Sequence, residues 1–107
     1  NMSQEEYEDM EKLSAKVNET LKAAIQAGDP AGALAQKTCD LHRQWLMHFW
    51  EQGAYSPESH MALAQMYVDD PRFTAYYDEI APGAAVFLRD AMRVYTRDKV
   101  TWKFSLT

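Results

Sequence analysis

The sequence predicts an all-α domain of five helices followed by an extended carboxyl-terminal tail. Proline follows Asp or Ser at positions 30, 57 and 71. An Asp or Ser side chain caps free backbone N–H groups at a helix start, and proline has no N–H group to leave unpaired. Apolar residues recur between these positions at spacings of three and four, as on one face of a helix. No alternation of apolar and polar residues, which would indicate a strand, occurs before residue 99.

From these signals we predict helices over residues 3–27, 30–52, 57–69, 71–79 and 83–97. Gly28 and Gly53 follow the first two helices, where glycine commonly ends a helix. The first helix has one apolar stripe on a long, otherwise charged surface, and the last has an apolar face typical of core packing.

The last nine residues, KVTWKFSLT, have a period of two, with apolar side chains at 100, 102, 104 and 106. We therefore divide the chain into a domain over 1–98 and an extended aromatic tail over 99–107. Two interpretations of the tail stay open. It is a frayed end or a strap over the domain's own surface, or it pairs with a neighbouring chain or lies in a groove.

Composition restricts the class of protein. A chain of 107 residues with a formal net charge of −5 fits one domain, and it has no basic run with which to bind nucleic acid directly. Cys39 is the only cysteine, so no disulfide is expected and a cytoplasmic setting is favoured. No stretch approaches the roughly 18 apolar residues of a membrane span, so we expect no membrane contact.

The second predicted helix is too apolar for an ordinary surface helix. On a helical wheel, about half its circumference is apolar or weakly polar, whereas a stripe of about 100° is enough to pack against a core. The residues in this arc are Leu34, Ala35, Thr38, Cys39, Leu41, His42, Trp45, Leu46, Phe49 and Trp50. The third helix has a similarly narrow polar strip. The pattern predicts either a thick core or an apolar cavity lined by aromatic residues and methionine.

His42 lies in the middle of this arc, one turn after Cys39. Three roles stay open for His42: a hydrogen-bonded core residue, a residue that lines a pocket, or a metal ligand. A structural zinc site needs four ligands, and only His60 remains as a stray candidate, so we expect no metal and no cofactor. No nucleophile-and-base arrangement is evident, and we expect no catalytic residue and no enzyme.

Residues 5–96 resemble the TipAS antibiotic-recognition family. The resemblance is carried by HR at 42–43, MYVDDPRFT at 66–74, YD at 77–78, APG at 81–83 and FLRDAM at 87–92. It implies a globin-like orthogonal helical bundle that has a surface cleft and no haem. The resemblance also implies a role: such domains are effector domains of MerR-type transcriptional activators or stand alone as drug-sequestering proteins. Thiopeptide antibiotics are a known class of ligand in the family.

The resemblance also implies how ligand is held. A family member that links covalently to thiopeptides uses a cysteine at the position that matches Ala62, and a methyl group cannot form that bond. We therefore expect noncovalent binding of a bulky apolar small molecule such as an antibiotic. DNA contact is expected only from a helix-turn-helix upstream of residue 1, if one is present, and a homodimer is possible.

The matching position also predicts the pocket, on the side of the third helix that carries residue 62 and on the facing arc of the second. The predicted ligand-binding residues are His42, Trp45, Leu46, Phe49, Trp50, Tyr55, Ser59, Ala62, Met66, Tyr76 and Tyr77. Asp70, Arg72 and Phe73 are interpreted as a helix cap, its charge partner and a core anchor. Two alternatives stay open: a protein–protein interaction module whose groove takes a peptide or the tail of another copy, and a metal or haem sensor.

Overall fold

Five helices make up the fold in the part of the chain that the computed structural model describes, residues 2–51 and 53–105, with the backbone alone described from 98 onward. They are α1 (Gln4–Ala27), α2 (Ala33–Leu46), α3 (Pro57–Asp69), α4 (Pro71–Ile80) and α5 (Ala84–Ser105). The all-α prediction is confirmed, and no strand occurs within those residues. In the same described residues, no helix is long and apolar enough to cross a membrane.

Three helices begin at the residues that cap them. The side chains of Ser3, Ser56 and Asp70 accept hydrogen bonds from backbone N–H groups in the first turns of α1, α3 and α4. Gly28 ends α1 in the left-handed conformation, with φ of 80°, and donates its N–H to Ala24. Side chains other than glycine rarely adopt this conformation, so the predicted end of α1 is confirmed.

The second helix is shorter than predicted, covering Ala33–Leu46 instead of 30–52. The Asp29 side chain caps a turn that precedes the helix, because it accepts from the N–H of Ala31, and Gly32 is the N-cap. At the other end, Phe49 and Trp50 both donate their N–H groups to the carbonyl of Leu46. These bonds close tight turns over residues 47–50, so the apolar pattern continues past the point where the α-helix stops.

The core lies where α5 packs against α2, α3 and α4. Large side chains such as Leu21, Leu88 and Met92 are fully buried there. Alanines lie between them and let the helix backbones approach closely: Ala24, Ala35, Ala64, Ala84, Ala85 and Ala91. The first helix packs mainly on α2, and its amino-terminal turns extend beyond this core.

The extended tail predicted for residues 99–107 is not found. Helix α5 continues to Ser105, and only residues 106 and 107 of the tail lie outside the described backbone. The sequence has no glycine or proline after Gly83 to stop a helix that has already formed. Each added residue then gains one backbone hydrogen bond, which outweighs the weak strand preference of an alternating run. The alternative in which an extended tail enters another copy's groove loses its premise.

Candidate ligand-binding cavity

One cavity of about 360 Å³ opens between α1, α2, α3 and α4. Its wall consists of Ser14, Val17, Asn18, His42, Trp45, Tyr67, Arg72, Phe73, Tyr76 and Tyr77. Small-molecule sites typically enclose roughly 300–1,000 Å³ and are mostly apolar with a few polar groups. This cavity has that size and that lining.

Helical spacing explains why these residues share one space. Ser14, Val17 and Asn18 lie three and four residues apart, so they form one face of α1. His42 and Trp45 are three apart on α2 in the same way. The cavity is therefore enclosed by one face each of α1, α2 and α4, with Tyr67 of α3 behind them.

Two polar contacts form the rim. The Asn18 side-chain amide donates to the hydroxyl of Tyr76 at 3.1 Å, which joins α1 to α4 across the cavity. Arg72 donates twice to the carboxylate of Asp70, with the shorter bond at 2.8 Å. The Arg72 guanidinium lowers the pKa of the Asp70 carboxyl, which also accepts from the Arg72 backbone. The one charged residue in the wall is thus already paired.

A buried chain of hydrogen bonds runs behind the cavity. The hydroxyl of Tyr55 is 2.8 Å from Nδ1 of His60, Nε2 of His60 is 2.8 Å from Nδ1 of His42, and Nε2 of His42 is 3.1 Å from the hydroxyl of Tyr67. Both histidines are fully buried. When both imidazoles are neutral, each carries one N–H, so all three bonds point the same way along the chain in either of two directions.

Burial explains why the side chains of His42 and Tyr67 in this row of hydrogen bonds are uncharged. Desolvation lowers the pKa of His42 to about 4, so this imidazole is neutral at physiological pH. Desolvation likewise raises the pKa of Tyr67 to about 12, although a hydrogen bond with Tyr77 opposes that shift. The polar atoms of His42 in the cavity wall are already occupied, and its ring presents an uncharged surface.

Trp45 is the partly buried indole in the cavity wall. It packs against His42, with ring centroids 5.4 Å apart, and against Phe49 at 4.8 Å. Over the described residues, its Nε1–H is the buried side-chain group that has no hydrogen-bond partner. An unpaired buried donor costs roughly 1–3 kcal/mol, and this N–H is covered, so the Trp45 ring and not its N–H faces the cavity.

The structure brings four of the predicted binding residues to this cavity: His42, Trp45, Tyr76 and Tyr77. Phe49, Trp50 and Ser59 instead line a separate, more open depression beside the α2–α3 loop. Binding of ligand by any of these side chains stays a prediction.

The other predicted residues lie elsewhere. Leu46 is buried in the protein interior, and Met66 packs against the core cluster. Tyr55 bonds to His60, and Ala62 is exposed on α3 outside the cavity wall. Position 62 therefore lies outside this cavity, to which α3 contributes only Tyr67.

Residues interpreted as structural turn out to line the cavity. Asp70 is the predicted cap and Arg72 its charge partner, but Arg72 is also in the wall. Phe73, predicted as a core anchor, is 37% exposed and lines the cavity as well. The face of α1 that contains Ser14 and Asn18 was not predicted. Its only sequence signal is that Val17 lies on the apolar stripe while its neighbours are small and polar.

The Cys-x-x-His pattern on α2 does not form a metal site. Cys39 is fully buried, and both ring nitrogens of His42 have hydrogen-bond partners. Throughout the described residues, no three His, Cys, Asp or Glu side chains are placed to hold a metal ion. Desolvation raises the pKa of the Cys39 thiol to about 12, which leaves it unreactive at neutral pH.

The fold is an all-α domain with a cavity of drug-like size that is lined mainly by aromatic side chains. The sequence profile described as the TipAS antibiotic-recognition domain matches residues 1–95, and the chain belongs to this family. The family resemblance on which the sequence-based expectations rested is thereby confirmed.

Two curated relatives extend the comparison. The chain is 34% identical over 89 residues to the HTH-type transcriptional activator TipA of Streptomyces coelicolor, covering 79% of this chain and 34% of that protein. It is 33% identical over 58 residues to the HTH-type transcriptional regulator SkgA of Caulobacter vibrioides, covering 54% of this chain and 22% of that protein. The chain thus spans about a third or less of the relatives' length. No solved structure gives a significant match.

Proposed function

We propose that this chain is the effector domain of a MerR-type transcriptional regulator and that the cavity between α1 and α4 binds a bulky, largely apolar antibiotic or similar molecule noncovalently. The observation that carries the proposal is the cavity of about 360 Å³ in a chain of the TipAS family. The relatives' printed names describe transcriptional regulators of the helix-turn-helix type, which supports the regulatory half of the proposal.

The wall chemistry suits such a ligand. Trp45, Phe73 and Tyr76 present large rigid rings, which bury much apolar area while losing little conformational entropy. Tyr76 and Phe73 are also exposed, so part of this apolar surface now faces solvent. Covering it with a ligand provides the hydrophobic free energy for binding.

Cysteine chemistry supports noncovalent binding. Cys39 is the only cysteine in the chain, and it is fully buried with a raised pKa. Addition of a thiol to a dehydroalanine requires an accessible thiolate, which Cys39 does not supply. Intact-mass spectrometry after incubation with thiostrepton, a thiopeptide, is expected to show the unmodified mass.

The binding site is tested by filling the cavity from α1. Ser14→Phe places a ring on the wall, whereas Ala15→Phe places the same ring at an exposed position on the same helix, outside the wall. Calorimetric titration with thiostrepton is expected to give binding for the wild type and for Ala15→Phe, and at least about tenfold weaker binding for Ser14→Phe. Equal affinity in both variants would place the ligand elsewhere.

The regulatory role has its own test. The coding sequence upstream of residue 1 is expected to encode a helix-turn-helix, and the whole protein is expected to change its transcriptional output when the cavity is occupied. An open reading frame without such a segment would instead favour a drug-sequestering protein. In the regulator, α1 is the element through which occupancy acts, because it forms one wall and is joined to α4 by the Asn18–Tyr76 bond.

A further inference from the structure

The α1 side of the cavity has polar atoms that a ligand can reach. Asn18 lines the wall and donates one amide N–H to the hydroxyl of Tyr76 at 3.1 Å. Over the described residues, Oδ1 of the same amide has no hydrogen-bond partner, and unlike Nε1 of Trp45 it is not covered. The half-exposed Tyr76 accepts from Asn18 and so keeps its own O–H proton to donate. An accessible acceptor and an accessible donor therefore lie side by side at this edge.

The sides formed by α2 and the first turn of α4 offer ring faces instead. Trp45 and Phe73 line the cavity there, and the N–H of Trp45 is covered. Both ring nitrogens of His42 are bonded behind the wall, and the Arg72 guanidinium is paired with Asp70. A bound aromatic molecule is therefore expected to lay its faces on these rings and to turn its polar edge toward α1.

The geometry of the Asn18–Tyr76 contact decides which polar edge fits. Because Oδ1 and the donating nitrogen belong to one planar amide, Oδ1 and the Tyr76 hydroxyl oxygen are about 4–5 Å apart. Two such groups can converge on a ligand that has an N–H donor and a carbonyl acceptor on adjacent atoms and on the same side. A trans amide directs these two groups away from each other, whereas a lactam or a primary carboxamide presents them together. We call this arrangement a lactam-type edge.

From these contacts, and resting on the proposed function, we infer that the cavity selects aromatic molecules with a lactam-type edge. Oδ1 of Asn18 accepts from the N–H of that edge, and the hydroxyl of Tyr76 donates to its carbonyl oxygen. A lactone of the same shape places an oxygen lone pair against Oδ1 where the lactam has its N–H, so it loses a hydrogen bond and meets a repulsion. A site that hydrogen-bonds one group rejects the isostere that lacks it.

Two uncharged tricyclic compounds of the same outline test the inference. One is the lactam 6-phenanthridinone, and the other is the matching lactone 3,4-benzocoumarin. Fluorescence titration of the wild-type chain is expected to give about tenfold tighter binding for the lactam. Ser14→Phe, which fills the cavity, is expected to weaken the binding of both compounds. Undiminished binding of the lactam by Ser14→Phe would place it outside this cavity and overturn the inference.

Two substitutions of Asn18 test the acceptor. Asn18→Leu removes Oδ1 and is expected to lower the ratio of lactam affinity to lactone affinity from about ten to about one. Asn18→Asp keeps an acceptor oxygen at this position and is expected to retain a ratio of about ten or more. Gln26→Leu removes an exposed amide on the same helix outside the wall, and this matched control is expected to leave the ratio unchanged. A melting curve for each variant establishes that it is folded.

The outcomes separate the two claims. If thiostrepton binds but the lactone binds as tightly as the lactam, or Asn18→Leu keeps the tenfold preference, the inference is wrong and the proposed function stands. The same holds if thiostrepton binds and neither tricyclic compound does. If neither thiostrepton nor either tricyclic compound binds, the proposed function is wrong and the inference fails with it.

Discussion

The buried hydrogen-bonded chain behind α2 and the cavity wall in front of it differ in how their side chains are covered and paired. Behind the cavity, His42 and His60 are fully buried and every ring nitrogen has a partner between 2.8 and 3.1 Å away. On the cavity side, the ring of Trp45 lines the wall while its N–H is covered and has no partner among the described residues, and Tyr76 is half exposed. A satisfied polar chain stabilises the fold, whereas exposed aromatic rings around a cavity are features of a ligand-binding site.

This difference predicts that substitutions in the two regions have different effects. Substitutions in the buried chain are expected to lower the free energy of unfolding, because they leave buried groups unpaired. Substitutions on the cavity side are expected to weaken ligand binding and to leave stability nearly unchanged.

The largest effect is expected for His60→Leu. The variant leaves Nδ1 of His42 without a partner in the interior and removes the partner of the Tyr55 hydroxyl. We expect a loss of about 2–4 kcal/mol in the free energy of unfolding, measured by urea denaturation.

His48→Leu is the control for that variant. His48 is near the surface and makes one contact of 3.5 Å with the Glu6 carboxylate. Its loss is expected to change stability by no more than about 0.5 kcal/mol. Similar losses at positions 48 and 60 would show that the buried chain has no special contribution.

Acidification is expected to destabilise the fold through His42. An unfolded histidine binds a proton below about pH 6.5, whereas burial holds the pKa of folded His42 near 4. The unfolded state therefore binds more protons between these two values, and stability falls as the pH decreases through this window, by up to about 3 kcal/mol.

Because carboxylates also titrate in the lower part of this window, His42→Gln is compared with the wild type by the slope of stability against pH. The variant is expected to lose roughly one proton's worth of slope between pH 6.5 and 5. Identical slopes would mean that His42 is not held neutral by the fold.

Tyr76→Ala is expected to act on binding. Its ring is 50% exposed and lines the cavity, while Tyr7 is 48% exposed on the outer part of α1 and does not line it. Calorimetry with thiostrepton should give about tenfold weaker binding for Tyr76→Ala and unchanged binding for Tyr7→Ala. Both variants should lose little stability, and equal affinities would remove Tyr76 from the site.

The smallest effect is expected for Asn18→Ala, which removes the bond between α1 and α4. This bond is at the surface, so its loss should cost no more than about 1 kcal/mol. Hydrogen exchange should nevertheless increase in α1 near residue 18, because that segment loses its contact with Tyr76. Unchanged exchange throughout α1 would show that the bond does not restrain the rim.

Local chemistry explains what the sequence could predict of the fold. Capping is decided within three residues, so the starts of α3 and α4 follow from Ser56 and Asp70. The end of α2 could not be predicted from neighbouring residues. Residues 47–50 keep an apolar helical pattern, although hydrogen bonds from their N–H groups close tight turns there. The tail shows the reverse: alternation predicts an extended segment, but an uninterrupted α5 continues through it to Ser105.

The site divides in a similar way. His42 and Trp45 could be predicted to line a cavity, because they lie on an apolar arc of α2 that is wider than packing against a core requires. The contribution of α1 was not, since only packing decides which helix closes a cavity. The family match predicts Ala62 in the pocket and the loop position predicts a hydroxyl from Tyr55, yet Ala62 is exposed outside the cavity wall and Tyr55 bonds to a buried histidine.

The central claim is that ligand occupies the cavity that Trp45 lines. The indole N–H signals in a ¹H–¹⁵N correlation spectrum test this claim most directly. Trp45→Phe and Trp50→Phe assign these signals. Titration with thiostrepton is expected to shift the Trp45 signal strongly and to leave the Trp50 signal almost unchanged, because Trp50 lines the separate depression. A large shift at Trp50 with none at Trp45 would contradict the account.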